Sequence, residues 1–119
     1  MPVSDLKSMH SVFLDKFNRG DVPGLVDLYE PDAAFCPQPG VVLRGLDAIR
    51  PAIQGFVNTG MKMTLSTIYV IENGDTGLLS ADWQLTSGGT VAMSGKTSEV
   101  VKRGADGGWR YLIDNPFSA

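Results

Sequence analysis

Three carboxyl residues in the apolar second half of this 119-residue chain are the groups best suited to moving a proton: Asp82, Glu99 and Asp114. Asp114 stands in the stretch Trp109–Pro116, among mostly apolar and aromatic neighbours. Burying a carboxyl there raises its pKa and makes it a general acid or base near neutrality. Glu99 and Asp82 can join it as a cluster, and clustered carboxylates push their pKa values apart. The plainer alternatives are an Asp114 bonded to backbone amides at a strand end, and solvated strand positions for Glu99 and Asp82. Asn115 either orients a ligand or, with Pro116, shapes the exit of the chain. Tyr29 either points its hydroxyl into a cavity or packs as an aromatic at a helix end.

Other chemistries find few residues to use. The single histidine, His10, lies on an apolar helical stripe and reads as a satisfied core or rim residue. A Ser–His–Asp or Cys–His arrangement would have to use it. One histidine and one cysteine cannot supply the about four ligands of a structural zinc site. Cys36 has no partner for a disulfide, which points to a reducing, cytoplasmic setting. With no basic neighbour in sequence it reads as an inert small hydrophobe. Gly95-Lys96-Thr97 has the look of a phosphate-loop ending, but Thr90 stands where that motif needs glycine, and the stretch opens no helix. Ten Lys+Arg against thirteen Asp+Glu give a net charge of −3, against a nucleic-acid footprint or a polybasic membrane anchor. No apolar h-region opens the chain, and no apolar run approaches the roughly 18 residues of a membrane span. The expectation is a soluble protein without metal or cofactor.

The elements that must hold these groups are legible from periodicity. At 43% hydrophobic and 19% charged, residues 1–119 form one globular domain. Leu6, Met9, His10, Phe13, Leu14 and Phe17 mark an amphipathic helix over 4–18, with Ser4 as N-cap and Gly20 as stop. Asp21 caps a second short helix whose buried side is Val22, Leu25, Val26 and Tyr29, ended by Glu30-Pro31-Asp32. Residues 33–43 form an edge strand and a small hairpin. A third helix carries Leu46, Ile49, Ile53, Phe56 and Val57, kinked at Pro51. After Gly60 the period becomes two, with strands at about 61–72, 76–86, 91–103 and 108–115. Asn73-Gly74 marks a type I′ hairpin. Helices followed by a meander make an α+β fold, with helices on one face of a curved sheet.

The strand faces carry a further expectation. Trp109, Tyr111 and Ile113 form one set on the last strand; Arg110, Leu112 and Asp114 form the other. Neither is polar, so both sheet faces are covered, and a homodimer through the sheet explains the aromatic set. Trp83 reads as interface or wall, and Met61 and Met63 as core or pliable pocket lining.

Several local patterns then coincide: Asn18-Arg19-Gly20-Asp21, Leu28-Tyr29-Glu30-Pro31-Asp32-Ala33, Leu43-Arg44-Gly45, Asp106-Gly107-Gly108-Trp109-Arg110 and Ile113-Asp114-Asn115-Pro116. With these the whole chain resembles the superfamily of ketosteroid isomerase and nuclear transport factor 2, and more closely its SnoaL-like, ketosteroid-isomerase-like members. The resemblance implies a cone-shaped barrel of three N-terminal helices on a strongly curved, mostly antiparallel sheet. It implies a pocket for a small hydrophobic molecule, with Phe13, Tyr29, Phe56, Met63, Asp82 and Asn115 among its lining. The isomerase's oxyanion-hole tyrosine falls at Phe13 and its general-base aspartate at Pro37, which argues against steroid isomerisation. Its second oxyanion donor falls near Glu99, and Asp114 is similar in position to the catalytic acid of polyketide cyclases. The fold's epoxide hydrolases need an Asp-Arg-Asp set, and its scytalone dehydratase needs histidines, a poor fit to one His10. The expected function is small-molecule binding with cofactor-free acid–base chemistry of isomerase or cyclase type on a carbonyl or polyketide-like substrate. The alternative is a non-catalytic binding or dimerisation module of the same fold.

Overall fold

Asp5 opens the first helical segment, its carboxylate accepting from the Lys7 amide at 3.1 Å. The computed structural model describes residues 2–118. The cap is thus Asp5, not Ser4, and a 3-10 turn at Leu6–Ser8 runs into helix α1, Met9–Asn18. Gly20 (φ 71°) ends it, and Asp21 caps α2, Val22–Val26, by accepting from the Gly24 amide at 3.0 Å.

Tyr29 does not belong to that helix. It is the first residue of strand β1, Tyr29–Gln38, where it pairs with Tyr111. Its apolar spacing suits either element, and long-range pairing decides. Nor does β1 lie at an edge: it pairs with β2, Val41–Arg44, on one side and with the last strand on the other. Pro31 and Pro37 fall where each register is interrupted, so their missing N–H groups break no regular ladder. Helix α3, Leu46–Asn58, continues as one element through the exposed Pro51, the position of the expected kink.

The remaining strands are β3 (Lys62–Asn73), β4 (Thr76–Ser87), β5 (Thr90–Lys96), β6 (Ser98–Arg103) and β7 (Trp109–Asn115). They extend one sheet in the order β2-β1-β7-β6-β4-β3, with β5 added against β4. Among the described residues only the β1–β7 pairing is parallel. Three helices against this curved, mostly antiparallel sheet make the expected cone-shaped α+β fold. The β3–β4 turn has positive φ at Gly74 alone (62°), which fits a II′ turn rather than I′. The run expected as one strand over 91–103 is broken at Thr97, whose hydroxyl takes the Ala81 amide at 2.9 Å in place of a ladder carbonyl.

The decisive irregularity is in β7. Val100 pairs with Ile113, but Val101 pairs with Tyr111, so Leu112 is an extra residue, a β-bulge. Inward-facing parity therefore changes along the strand. Trp109 and Tyr111 point in, at 2% and 1% exposure; after the bulge Asp114 points in and Ile113 points out, at 44%. Trp83 is also inside, at 5%. The expected dimer patch of Trp109, Tyr111, Ile113 and Trp83 thus does not exist as a surface: three of its four members are core. The outer face instead carries Ile71, Leu78, Val100 and Ile113, cross-strand partners in one row over β3, β4, β6 and β7. Among the described residues no helix is long and apolar enough to cross a membrane.

Candidate functional site

Between the inner sheet face and helices α1 and α3 lies a cavity of about 70 Å³. Its walls are almost wholly apolar, with Phe13, Phe56, Met63, Leu65 and Trp83 among them. Glu99 and Asp114 reach it from directly opposed positions on β6 and β7, so two carboxyls share one face of one strand pair. Asp114 arrives there because of the Leu112 bulge. Tyr29, at the head of the parallel neighbour β1, donates its hydroxyl to Asp114 Oδ2 at 2.5 Å.

Glu99 is held differently. His10 of α1 puts Nε2 at 2.7 Å from Glu99 Oε1, and the Thr97 hydroxyl donates to the same oxygen at 2.7 Å. His10 Nδ1 lies 2.8 Å from Thr67 Oγ1 on β3. Among the described residues the fully buried Tyr111 hydroxyl has no partner within hydrogen-bond geometry, although the Glu99 carboxylate lies near enough to tighten its hold on the proton. A buried hydroxyl without a partner costs about 1–3 kcal/mol, which makes it conspicuous in a cavity wall.

Burial, then the charge of Glu99, push the Asp114 carboxyl up to about 8, while the Tyr29 hydrogen bond pulls the other way. Near neutral pH Asp114 is therefore mostly protonated. Both phenols are held well above their ordinary range, by burial first, then by Asp114 at Tyr29 and Glu99 at Tyr111. The cavity thus presents two weak acids, Asp114 and Tyr111, beside a carboxylate already bonded by two donors.

Of the residues expected at the site, Asp114, Glu99, Tyr29, Phe13, Phe56 and Met63 line the cavity. Asp82 does not. The inner set of β4 is Leu79, Ala81, Trp83 and Leu85, so Asp82 faces out, half exposed, with Lys96 Nζ at 3.4 Å. Asn115 does not line it either; its Oδ1 accepts the Phe117 amide at 3.1 Å and turns the chain at the strand end. His10 and Tyr111 enter the cavity wall although neither was expected there. Glu99 shares an inner strand set with Val101 and so needs a donor; the lone His10 on an inward helix stripe was the available signal. For Tyr111 no local signal existed, since its facing depends on the bulge. Among the described residues no three His, Cys, Asp or Glu side chains gather as a metal site.

Comparison with known proteins agrees with this architecture. The SnoaL-like domain family matches residues 12–111, from within α1 into β7. No curated protein sequence matches the chain. Among solved structures, a candidate calcium/calmodulin-dependent protein kinase type II association domain from Thiobacillus denitrificans superposes with a TM-score of 0.80 at 17% identity, covering 99% of this chain and 98% of its own. A ketosteroid isomerase-like protein from Erwinia carotovora atroseptica gives 0.72 at 18% identity, over 92% and 90%. A candidate dehydratase of the NTF2-like family from Streptomyces avermitilis gives 0.76 at 20%, over 98% and 96%. At such identities these likenesses concern the fold alone.

Proposed function

Since the chain belongs to the SnoaL-like domain family, we propose that its cavity takes up a small, mostly apolar molecule bearing a carbonyl oxygen, and that Asp114 exchanges a proton with it without a cofactor. The observation that carries this reading is the pairing of a protonated, buried Asp114 with the partnerless Tyr111 hydroxyl in an apolar wall. With Oδ2 engaged by Tyr29, Asp114 offers its proton through Oδ1 to the ligand oxygen. Tyr111 gives that oxygen a second donor, and its own buried hydroxyl gains the partner it lacks. Charge developing on the oxygen meets preorganised donors in an apolar site. Glu99, opposite Asp114, is the acceptor for the proton the ligand gives up. The chemistry that results is an isomerase- or cyclase-type shift of a carbonyl or polyketide-like compound.

The test follows enolisation of small alicyclic and aromatic ketones by solvent deuterium uptake. Asp114→Asn is expected to lower uptake by about 10²-fold or more with the fold intact, the scale of general acid–base assistance. Uptake as fast as in the unmodified protein would overturn the assignment. A second reading, a binding module without chemistry, is favoured by Phe13 and Pro37 at the positions of the isomerase's tyrosine and base. It predicts that the ketones bind but exchange no deuterium with either protein.

The same reading includes a homodimer through the outer sheet face, built on Ile71, Leu78, Val100 and Ile113 rather than on the buried aromatics. Cys36, a free and half-buried thiol, fits a reducing, cytoplasmic setting for one domain of this kind.

A further inference from the structure

His10 bridges two environments. On one side it meets the buried Glu99 in the cavity wall; on the other it meets Thr67, which is exposed. Thr67 pairs with the inner residue Ala81 and so faces α1, yet β3 is the edge strand, which leaves this position open to water. For a neutral His10 ring the surrounding bonds fix the hydrogens. Thr97 Oγ1 accepts the Ala81 amide, so its own hydrogen goes to Glu99 Oε1. Glu99 Oε1 is then an acceptor, His10 Nε2 carries the hydrogen between them, and Nδ1 accepts from the Thr67 hydroxyl.

We infer that Thr67, His10 and Glu99 form a proton relay between solvent and the cavity. It rests on the acid–base reading of the site, and adds the route by which the buried Glu99 carboxyl exchanges protons with water. Inward, water gives a proton to Thr67 as the Thr67 hydroxyl hydrogen passes to Nδ1 and the Nε2 hydrogen passes to Glu99. One proton has entered; the imidazole is neutral with its hydrogen on Nδ1, and Glu99 is a neutral acid. Once Glu99 passes that proton across the strand pair to Asp114, which has given its own to the ligand, Nε2 is bare, so the next transfer runs outward. A ligand proton taken by Glu99 goes to Nε2, the Nδ1 hydrogen returns to Thr67, and one proton leaves to water. The relay alternates, and alternation suits a reaction that takes one proton and returns one: a tautomeric shift rather than net proton uptake. His10 and Thr67 act through Glu99 and do not touch the ligand.

The experiment needs no substrate. Because His10 is the chain's single histidine, its ring nitrogens are unambiguous in ¹⁵N NMR, and exchange of the Nε2 hydrogen with water can be timed in the ligand-free protein. Thr67→Val is expected to slow that exchange by about tenfold or more with the tautomer unchanged, and Thr67→Ser to restore it. Exchange in Thr67→Val as fast as in the unmodified protein overturns the relay, since the hydrogen then leaves by another path. Should Thr67→Val fail to fold, Thr67→Ala takes its place with the same two outcomes. Ketone turnover by Asp114→Asn is a separate measurement, so failure of the relay and failure of the acid–base reading are told apart.

Discussion

Asp114 keeps its proton because its surroundings offer little water and Glu99 faces it across the β6–β7 pair. Unfolding returns the carboxyl to its ordinary value near about 3.9. Between that value and about 8 the folded chain binds more protons than the unfolded one, so this group's contribution lowers stability as pH rises through the window. Urea unfolding of the unmodified protein should therefore show stability falling from about pH 5 to about pH 8 by roughly 2–5 kcal/mol on this account. Asp114→Asn should flatten the profile and be the more stable protein at the upper end. An unchanged slope would place the titration elsewhere. Tyr111→Phe separates ligand binding from folding at the same site. Its hydroxyl is buried without a partner, so its loss is expected to stabilise the empty protein by about 1 kcal/mol in urea titrations while weakening ketone binding. Destabilisation instead would mean that the hydroxyl is already bonded when the cavity is empty.

At the scale of elements, what was legible was what local chemistry decides. Helical stripes ending at glycine, the Asp21 cap and the alternation Leu79, Ala81, Trp83, Leu85 are written in neighbouring residues, and all appear where expected. The inward facing of Glu99 and Asp114 follows from the same alternation in β6 and, in β7, from the resemblance. What was not legible depends on partners far away in the chain. Tyr29 leaves its helix because β7 pairs with it, and Leu112 bulges because β6 has one residue fewer to oppose it. Strict alternation therefore put Tyr111 on the same face as Ile113, and one extra residue separates them. A comparable close fit holds the tail over the cavity. Trp83 Nε1 donates to the Pro116 carbonyl at 2.6 Å, directly over Gly95, where an added Cβ would sit 2.8 Å from that same oxygen. Gly95→Ala should push the tail off Trp83, costing about 1–3 kcal/mol. It should also red-shift tryptophan emission as the indole loses its acceptor and its packing against Phe117. Unchanged emission would mean that the tail adjusts without releasing Trp83.

On the scale of the whole molecule, the outer sheet face is where the chain leaves apolar surface uncovered. Ile71, Leu78 and Ile113 are each roughly half exposed, and with Val100 they line up across four adjacent strands. The row lies on paired strands rather than on a loose loop, so it presents a firm surface and needs little ordering to be covered. A two-fold axis through such a row brings the same four side chains of a second copy against it, which is the self-complementarity that an isologous dimer requires. Charge opposes this only weakly, since each protomer carries −3. Leu78→Lys places a charge in the middle of the row while its neighbours Leu79 and Gly77 keep facing the core. Light scattering is expected to give twice the protomer mass for the unmodified protein and a single protomer mass for Leu78→Lys, with the pH profile of Asp114 unaltered in both. A monomeric unmodified protein would remove the dimer and leave the row to some other partner. A variant that became monomeric and also lost the Asp114 profile would show that the outer face supports the cavity, because the carboxyl and the row are carried by the same two strands.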